Sequence, residues 1–231
     1  MVTFVLIPGA GGQAWYWHRV VAELDRRGRL GLAVDLPAAD DTAGLPEYVD
    51  AVLSAIGERR ELVLVAQSLA GFTAPIVCER VPVDLLVLVN AMIPAPGESG
   101  AEWWTNTGHE QARVAHAART GRVLPAEFDP LEEFFHDVPQ HVIHDAMARG
   151  EPEQSAAPMA EPWPLSAWPD VPTRVLTARD DRFFPADFQR RIARQRLGIT
   201  PDEIPGGHLV ALSQPTALVD RLETYVADLD R

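Results

Sequence analysis

Cysteine is nearly absent from this chain: Cys78 is the only one in 231 residues. A lone thiol excludes a disulfide within the chain and a cysteine-built metal cluster. Its place in an apolar, helix-like run predicts a buried thiol. Long apolar runs are missing too. No stretch reaches the roughly eighteen residues needed to cross a bilayer. The N-terminus has no basic region, apolar core or cleavage site of a secretory leader. A cytoplasmic protein is expected. Positive charge is in deficit, with 20 Lys and Arg against 33 Asp and Glu, a net charge of −13 and a pI near 4.9. Phosphate binding needs clustered basic side chains. Neither nucleic acid nor an anionic membrane is therefore expected as a partner, and strongly anionic substrates are disfavoured at long range. No histidines and carboxylates show metal-ligand spacing, so neither a metal nor another cofactor is expected.

What the chain does have is apolar mass, 47% of its residues, enough for the core of one large α/β domain. Short runs rich in Val, Ile and Leu alternate with helix-like patterns. That alternation predicts parallel strands joined by crossover helices. Strands are expected at 3–7, 31–35, 62–66, 85–89, 174–178 and 202–205, and helices at 16–27, 46–59, 69–80, 186–197 and 215–229. Gly28 and Gly57 suit helix ends, and Pro46 suits a first helical turn. The fold class is α/β, a doubly wound, mostly parallel six-stranded sheet. Between Asn90 and Val171 the rhythm stops. Trp103, Trp104, Trp163, Trp168 and five of the seven histidines fall there. So long an excursion is too large for a loop. Residues 96–166 read as an inserted helical cap, with helices near 108–120, 130–136 and 139–149, over a core of 1–95 and 167–231.

The most telling stretch is Leu62-Val63-Leu64-Val65-Ala66-Gln67-Ser68-Leu69-Ala70-Gly71. An apolar strand runs through small-x-Ser-x-small straight into an apolar helix. This is the setting of a nucleophile elbow, where a sharp turn lifts a serine hydroxyl above the C-terminal edge of a parallel sheet. The flanking positions, usually Gly, are Ala66 and Ala70. A serine in such a turn can also be a plain helix cap, so the other parts decide. His208 lies late in the chain, in Pro205-Gly206-Gly207-His208, before the last helix. His18, His136 and His144 are worse placed. Asp180 and Asp181 both follow the strand at 174–178, and only one can face His208. The order Ser, Asp, His is that of an α/β-hydrolase. Pro8-Gly9-Ala10-Gly11-Gly12 follows the first strand and can turn backbone N–H groups inward. The donors expected for an oxyanion are the N–H groups of Ala10 and Leu69. A competing reading takes Gly9, Gly11 and Ala14 as a dinucleotide fingerprint with Asp35 as its ribose-binding acid. That reading leaves Ser68, the acid and His208 without a role.

With these parts in place, the chain resembles the α/β-hydrolase superfamily over essentially its whole length. More narrowly, it is similar to the plant methylesterase and hydroxynitrile lyase branch and its bacterial relatives. The matching pieces are Phe4-Val5-Leu6-Ile7-Pro8-Gly9-Ala10 with Trp15 and Trp17, and Asn90-Ala91-Met92-Ile93-Pro94. Further pieces are Asp181-Arg182-Phe183-Phe184-Pro185 with Phe188-Gln189, and Gly207-His208-Leu209 with Pro215. The resemblance implies a triad of Ser68, Asp181 and His208, an oxyanion hole from Ala10 and Leu69, and a small helical cap. It favours Asp181 over Asp180 because Asp181 and Pro185 complete Asp-x-x-x-Pro. The chain departs from the family at Pro8, where His is usual, so a hydrogen bond bracing the oxyanion loop is expected to be missing. It departs again at Gln67, where His is frequent. Hydroxynitrile lyases of the branch carry Thr and Lys where this chain has Gly9 and Leu209, so the resemblance leans to hydrolysis.

The expected function is a cofactor-free serine hydrolase that cleaves a small, largely apolar ester through an acyl-enzyme. The partner is then a small-molecule substrate, and a homodimer remains open. Lactone, thioester or carbon–carbon bond hydrolysis uses the same triad, and an α/β-hydrolase pocket can also serve as a non-catalytic receptor. Gly9, Gln67, Trp103, Trp104, Phe134 and Phe135 are the candidates to line the substrate pocket.

Overall fold

The computed structural model describes residues 2–125 and 127–229. Six strands form one sheet: β1 (Thr3–Ile7), β2 (Leu30–Ala33), β3 (Leu62–Gln67), β4 (Leu85–Val89), β5 (Thr173–Ala178) and β6 (Asp202–Ile204). Every pairing is parallel, and the order across the sheet is β2-β1-β3-β4-β5-β6. The first three crossovers carry α1 (His18–Arg26), α2 (Leu45–Ile56) and α3 (Ala70–Cys78). Between β4 and β5 run α4 (Gly100–Thr107), α5 (His109–Arg119), α6 (Pro130–Glu133), α7 (Gln140–Ala148) and α8 (Ala157–Ala160). Then α9 (Ala186–Leu197) precedes β6, and α10 (Val210–Ser213) and α11 (Pro215–Leu229) follow it.

Side chains alternate across a strand, and here both faces are covered. Val5, Ile7, Leu62, Leu64 and Ala66 pack on one face with α2, α3 and α9. Phe4, Leu6, Val63 and Val65 pack on the other with α1, α10 and α11. That is why β1, β3 and β4 are buried at every position and read as unbroken apolar runs. Each such side chain contributes roughly 1.5–3 kcal/mol of apolar burial.

The helices start and stop close to the expected places. Pro46 lies in the first turn of α2, and Gly57 ends it. The span expected at 16–27 splits into a 3-10 turn, Ala14–Trp17, and α1. The span expected at 130–136 shortens to α6, although the N–H groups of Phe134 and Phe135 still bond back to the Pro130 and Leu131 carbonyls. Phe134 stacks near His208, whereas Phe135 joins the α1 and α11 side of the core. Cys78 is half-buried at the end of α3, less enclosed than expected, and burial still pushes its thiol up to about 12.

The segment between β4 and β5 is fastened by buried indoles. Trp163 donates to the Phe72 carbonyl and Trp103 to the Ile93 carbonyl, both at 3.0 Å. Arg196 of α9 adds a forked ion pair to Glu98. Among the described residues, no helix is long and apolar enough to cross a membrane. The strand order reverses at β1, which lies between β2 and β3. In open sheets of this kind, ligands bind at the carboxyl ends of the strands beside that point. The Pro8–Gly12 loop and the Ser68 turn both emerge there.

Candidate active site

β3 ends at Gln67 and α3 begins at Ala70, so the turn has two residues. Ser68 sits in it at φ 52°, a left-handed conformation that costs a non-glycine residue on the order of 1–3 kcal/mol. Neighbouring backbone holds it there. Ser68 N–H donates to the Val89 carbonyl at 3.3 Å, and its own carbonyl accepts from Gly71 at 3.1 Å and Met92 at 2.9 Å. The tightest approach falls at Gly71, where a Cβ would lie 1.7 Å from the Met92 carbonyl oxygen. Ala66 and Ala70 are therefore tolerated at the usual glycine positions, while Gly71 is not replaceable.

His208 follows β6 and is buried. Its Nε2 lies 3.2 Å from Ser68 Oγ and its Nδ1 2.8 Å from Asp181 Oδ2. A carboxylate only accepts, so Nδ1 carries the proton and Nε2 is free to accept from the serine hydroxyl. Asp181 is fully buried. Its Oδ1 accepts from the N–H groups of Phe183 at 2.9 Å and Phe184 at 2.8 Å. Asp180 faces solvent and does a different job. Its Oδ2 accepts from Gly206 N–H at 3.2 Å, bracing the histidine loop from outside.

Three further side chains tie these loops together. Asn90, fully buried at the end of β4, donates to the Gly207 and His208 carbonyls at 3.2 and 3.1 Å and accepts from Ala178 N–H at 2.7 Å. Gln189 donates to the Phe184 carbonyl at 2.6 Å and lies 3.4 Å from Asp181 Oδ2. Asp137, after α6, accepts from Gly207 N–H at 2.7 Å. Beside it, burial and then Arg182 lower the pKa of His136. Asn90 and Gln189 fall in the stretches that carry the family resemblance, and His136 was weighed as a base and set aside, but the sequence assigned none of them, nor Asp137, this bracing role. The available signal was a buried amide, Asn90, directly after an apolar strand.

The loop after β1 is braced, contrary to the expectation raised by Pro8. Gln67 Oε1 accepts from Gly9 N–H at 3.1 Å, and Gln67 Nε2 donates to the His208 carbonyl at 3.4 Å. Gln67 thus links the loop to the histidine turn and is itself buried. Gly9 must be glycine, since a Cβ there would lie 2.8 Å from Ser68 Cβ. Gly11 N–H donates to Gln154 at 2.9 Å, and Gly12 N–H to the Gly9 carbonyl at 3.1 Å. Among the described residues, the N–H groups of Ala10 and Leu69 meet no acceptor. Asp35 spends its carboxylate on Ala14 N–H at 2.7 Å, closing the 3-10 turn.

The aromatic candidates separate. Phe134 lies against His208, with ring centroids 5.2 Å apart. Trp104 packs on Phe183 and Phe184, one layer further away. Trp103 is sealed in the core, and Phe135 packs against the core cluster that includes Val138 and Val142.

A sequence profile described as "Alpha/beta hydrolase family" matches residues 4–221. The chain is an alpha/beta hydrolase. This alpha/beta hydrolase is 40% identical over 109 residues to a probable rice esterase, PIR7A (Oryza sativa subsp. indica), a match covering 41% of each chain. It is 30% identical over 105 residues to methyl jasmonate esterase 1 of Vitis vinifera, covering 40% of each. The matches thus span about two-fifths of the length of these curated relatives. The whole fold is shared with polyneuridine aldehyde esterase, at 19% identity and TM-score 0.77, covering 98% of this chain and 99% of that one. A pyrethroid hydrolase from Sphingobium faniae JZ-2 superimposes with TM-score 0.74 at 20% identity, covering 97% and 96%.

Proposed function

We propose that this alpha/beta hydrolase is a cofactor-free serine esterase for a small, largely apolar carboxylic ester. The observation that carries the reading is the unbroken hydrogen-bonded chain Ser68–His208–Asp181. Ser68 Oγ attacks the ester carbonyl while His208 Nε2 takes its proton. Asp181 holds the imidazole in the required tautomer and stabilises the imidazolium. The unspent N–H groups of Ala10 and Leu69 receive the oxyanion. His208 then gives its proton to the departing alcohol oxygen, which leaves an acyl-enzyme on Ser68. Water, activated by the same histidine, releases the acid and restores the serine. Residues 96–166 act as the cap that shields this chemistry from solvent.

Lactones, thioesters and carbon–carbon bonds can be cleaved by the same groups. The ester reading is preferred because relatives such as the rice and grapevine proteins carry esterase names. Hydroxynitrile lyase chemistry is not expected. Gly9 and Leu209 offer neither a hydroxyl nor an ammonium, and the chain contains no lysine. Departing cyanide would have no ammonium beside the catalytic histidine to receive it.

The reading is tested by offering a short-chain aryl ester and a cyanohydrin under the same conditions. Ester hydrolysis with an initial burst of one equivalent of phenol, and cyanide release at the buffer rate, is the expected result. Cyanide release that depends on Ser68, or binding of the ester without turnover, would contradict it.

A further inference from the structure

The chain hydrolyses esters in the reading above, and this inference rests on that reading. We infer that the alcohol side of the site is an aromatic wall built by Phe128, Phe134 and Phe183, which selects esters of arylmethyl alcohols. The side is fixed by the chemistry. His208 Nε2 must reach the leaving oxygen while the carbonyl carbon sits on Ser68 Oγ. The remainder of the alcohol therefore departs along the walls of the imidazole.

Those walls are phenyl rings. Phe134 is tilted by 33° to the His208 ring at 5.2 Å, and Phe183 meets it edge-on at 5.3 Å. Phe134 and Phe183 touch each other at 4.9 Å. Phe128 closes the set, 5.3 Å from Phe134 and 5.7 Å from Phe183. Exposure increases outward along this row. His208 is 3% exposed, Phe134 and Phe183 are half-buried, and Phe128 is 47% exposed. An aromatic surface thus runs without a break from solvent to the imidazole. Aromatic rings favour offset and edge-to-face partners at these separations, so a flat ring on the alcohol finds a partner at each step inward.

The oxyanion loop, by contrast, meets an amide and a phenol: Gly11 N–H donates to Gln154 at 2.9 Å, and Gln154 donates to the Tyr48 hydroxyl at 3.0 Å. Selection for an aromatic group is assigned to the alcohol half of the ester because the row of rings adjoins the imidazole that serves the leaving oxygen.

The test uses two pairs of esters: benzyl and ethyl acetate, which differ in the alcohol, and methyl benzoate and methyl acetate, which differ in the acyl group. Each kcat/KM is divided by the ester's own alkaline hydrolysis constant. Benzyl acetate should exceed ethyl acetate by at least about tenfold, the discrimination an apolar subsite provides. The acyl pair should show no such preference. The double variant Phe128→Ala with Phe134→Leu should lower the benzyl-to-ethyl ratio by about tenfold. Phe135→Leu, outside the row of ring contacts and packed instead with the cluster that includes Val138 and Val142, should move it less than about twofold. Being ratios, these values are insensitive to partial loss of folded enzyme. A benzyl-to-ethyl ratio near one, a ratio that survives the double variant, or an aromatic preference confined to the acyl pair would overturn the inference while leaving the esterase reading intact. Absence of Ser68-dependent turnover on all four esters would overturn both.

Discussion

Replacing Ser68 by alanine is expected to lower kcat for a short-chain ester by at least about a thousandfold, the loss typical of removing a triad member. The same variant should fold normally. The hydroxyl makes a 3.2 Å hydrogen bond to His208, whereas the turn is held by the backbone bonds of Ser68 and by the approach of Gly71 to Met92. Alanine is no more strained than serine at φ 52°. Thermal unfolding should therefore stay within a few degrees of wild type, on the order of 1 kcal/mol or less. A variant that is folded and fully active would remove Ser68 from the chemistry. A variant that fails to fold would show that the hydroxyl is structural.

The second large effect separates two adjacent acids. Asp181→Asn should lower kcat by about ten-thousandfold, whereas Asp180→Asn should cost less than about tenfold. In Asp181→Asn the remaining oxygen stays with the Phe183 and Phe184 amides, since both are buried donors. The new NH2 group then faces His208 Nδ1, where it requires an unprotonated nitrogen. The proton moves to Nε2, and the ring can no longer accept from Ser68. Asp180→Asn keeps an amide oxygen for Gly206, at a solvent-exposed position where the loss of charge is well screened. Measured kcat values for the two purified variants decide the matter. The opposite ranking would make Asp180 the working acid.

The parts that were legible in the sequence share one property: they depend on short stretches of chain. β1, β3 and β4 are buried on both faces and so read as continuous apolar runs. The elbow is a strand, a turn and a helix in immediate succession. The parts that were not legible depend on long-range packing. Gln67 bridges Gly9 and His208, residues 58 and 141 positions away, and no local pattern announces such a partner. Asn90 likewise reaches loops 88 and 118 positions distant. The placing of the aromatic candidates between β4 and β5 was equally beyond reach. Phe134 and Phe135 are neighbours of identical chemistry, yet one meets the imidazole and the other packs against the cluster that includes Val138 and Val142. Both N–H groups still bond back four residues, to Pro130 and Leu131, and the step of about 100° per residue on a helical turn separates the two rings.

The central claim is that Ser68 carries the acyl group, and labelling the nucleophile tests it most directly. An alkyl fluorophosphonate added to the active enzyme should form one covalent adduct per chain. Trypsin cleaves at Arg60 and Arg80, which releases residues 61–80, and Ser68 is the only serine in that peptide. Mass spectrometry should place the phosphonyl group on Ser68, with complete loss of ester turnover and no adduct in Ser68→Ala. An adduct on another residue, or continued hydrolysis by fully labelled enzyme, would contradict the account.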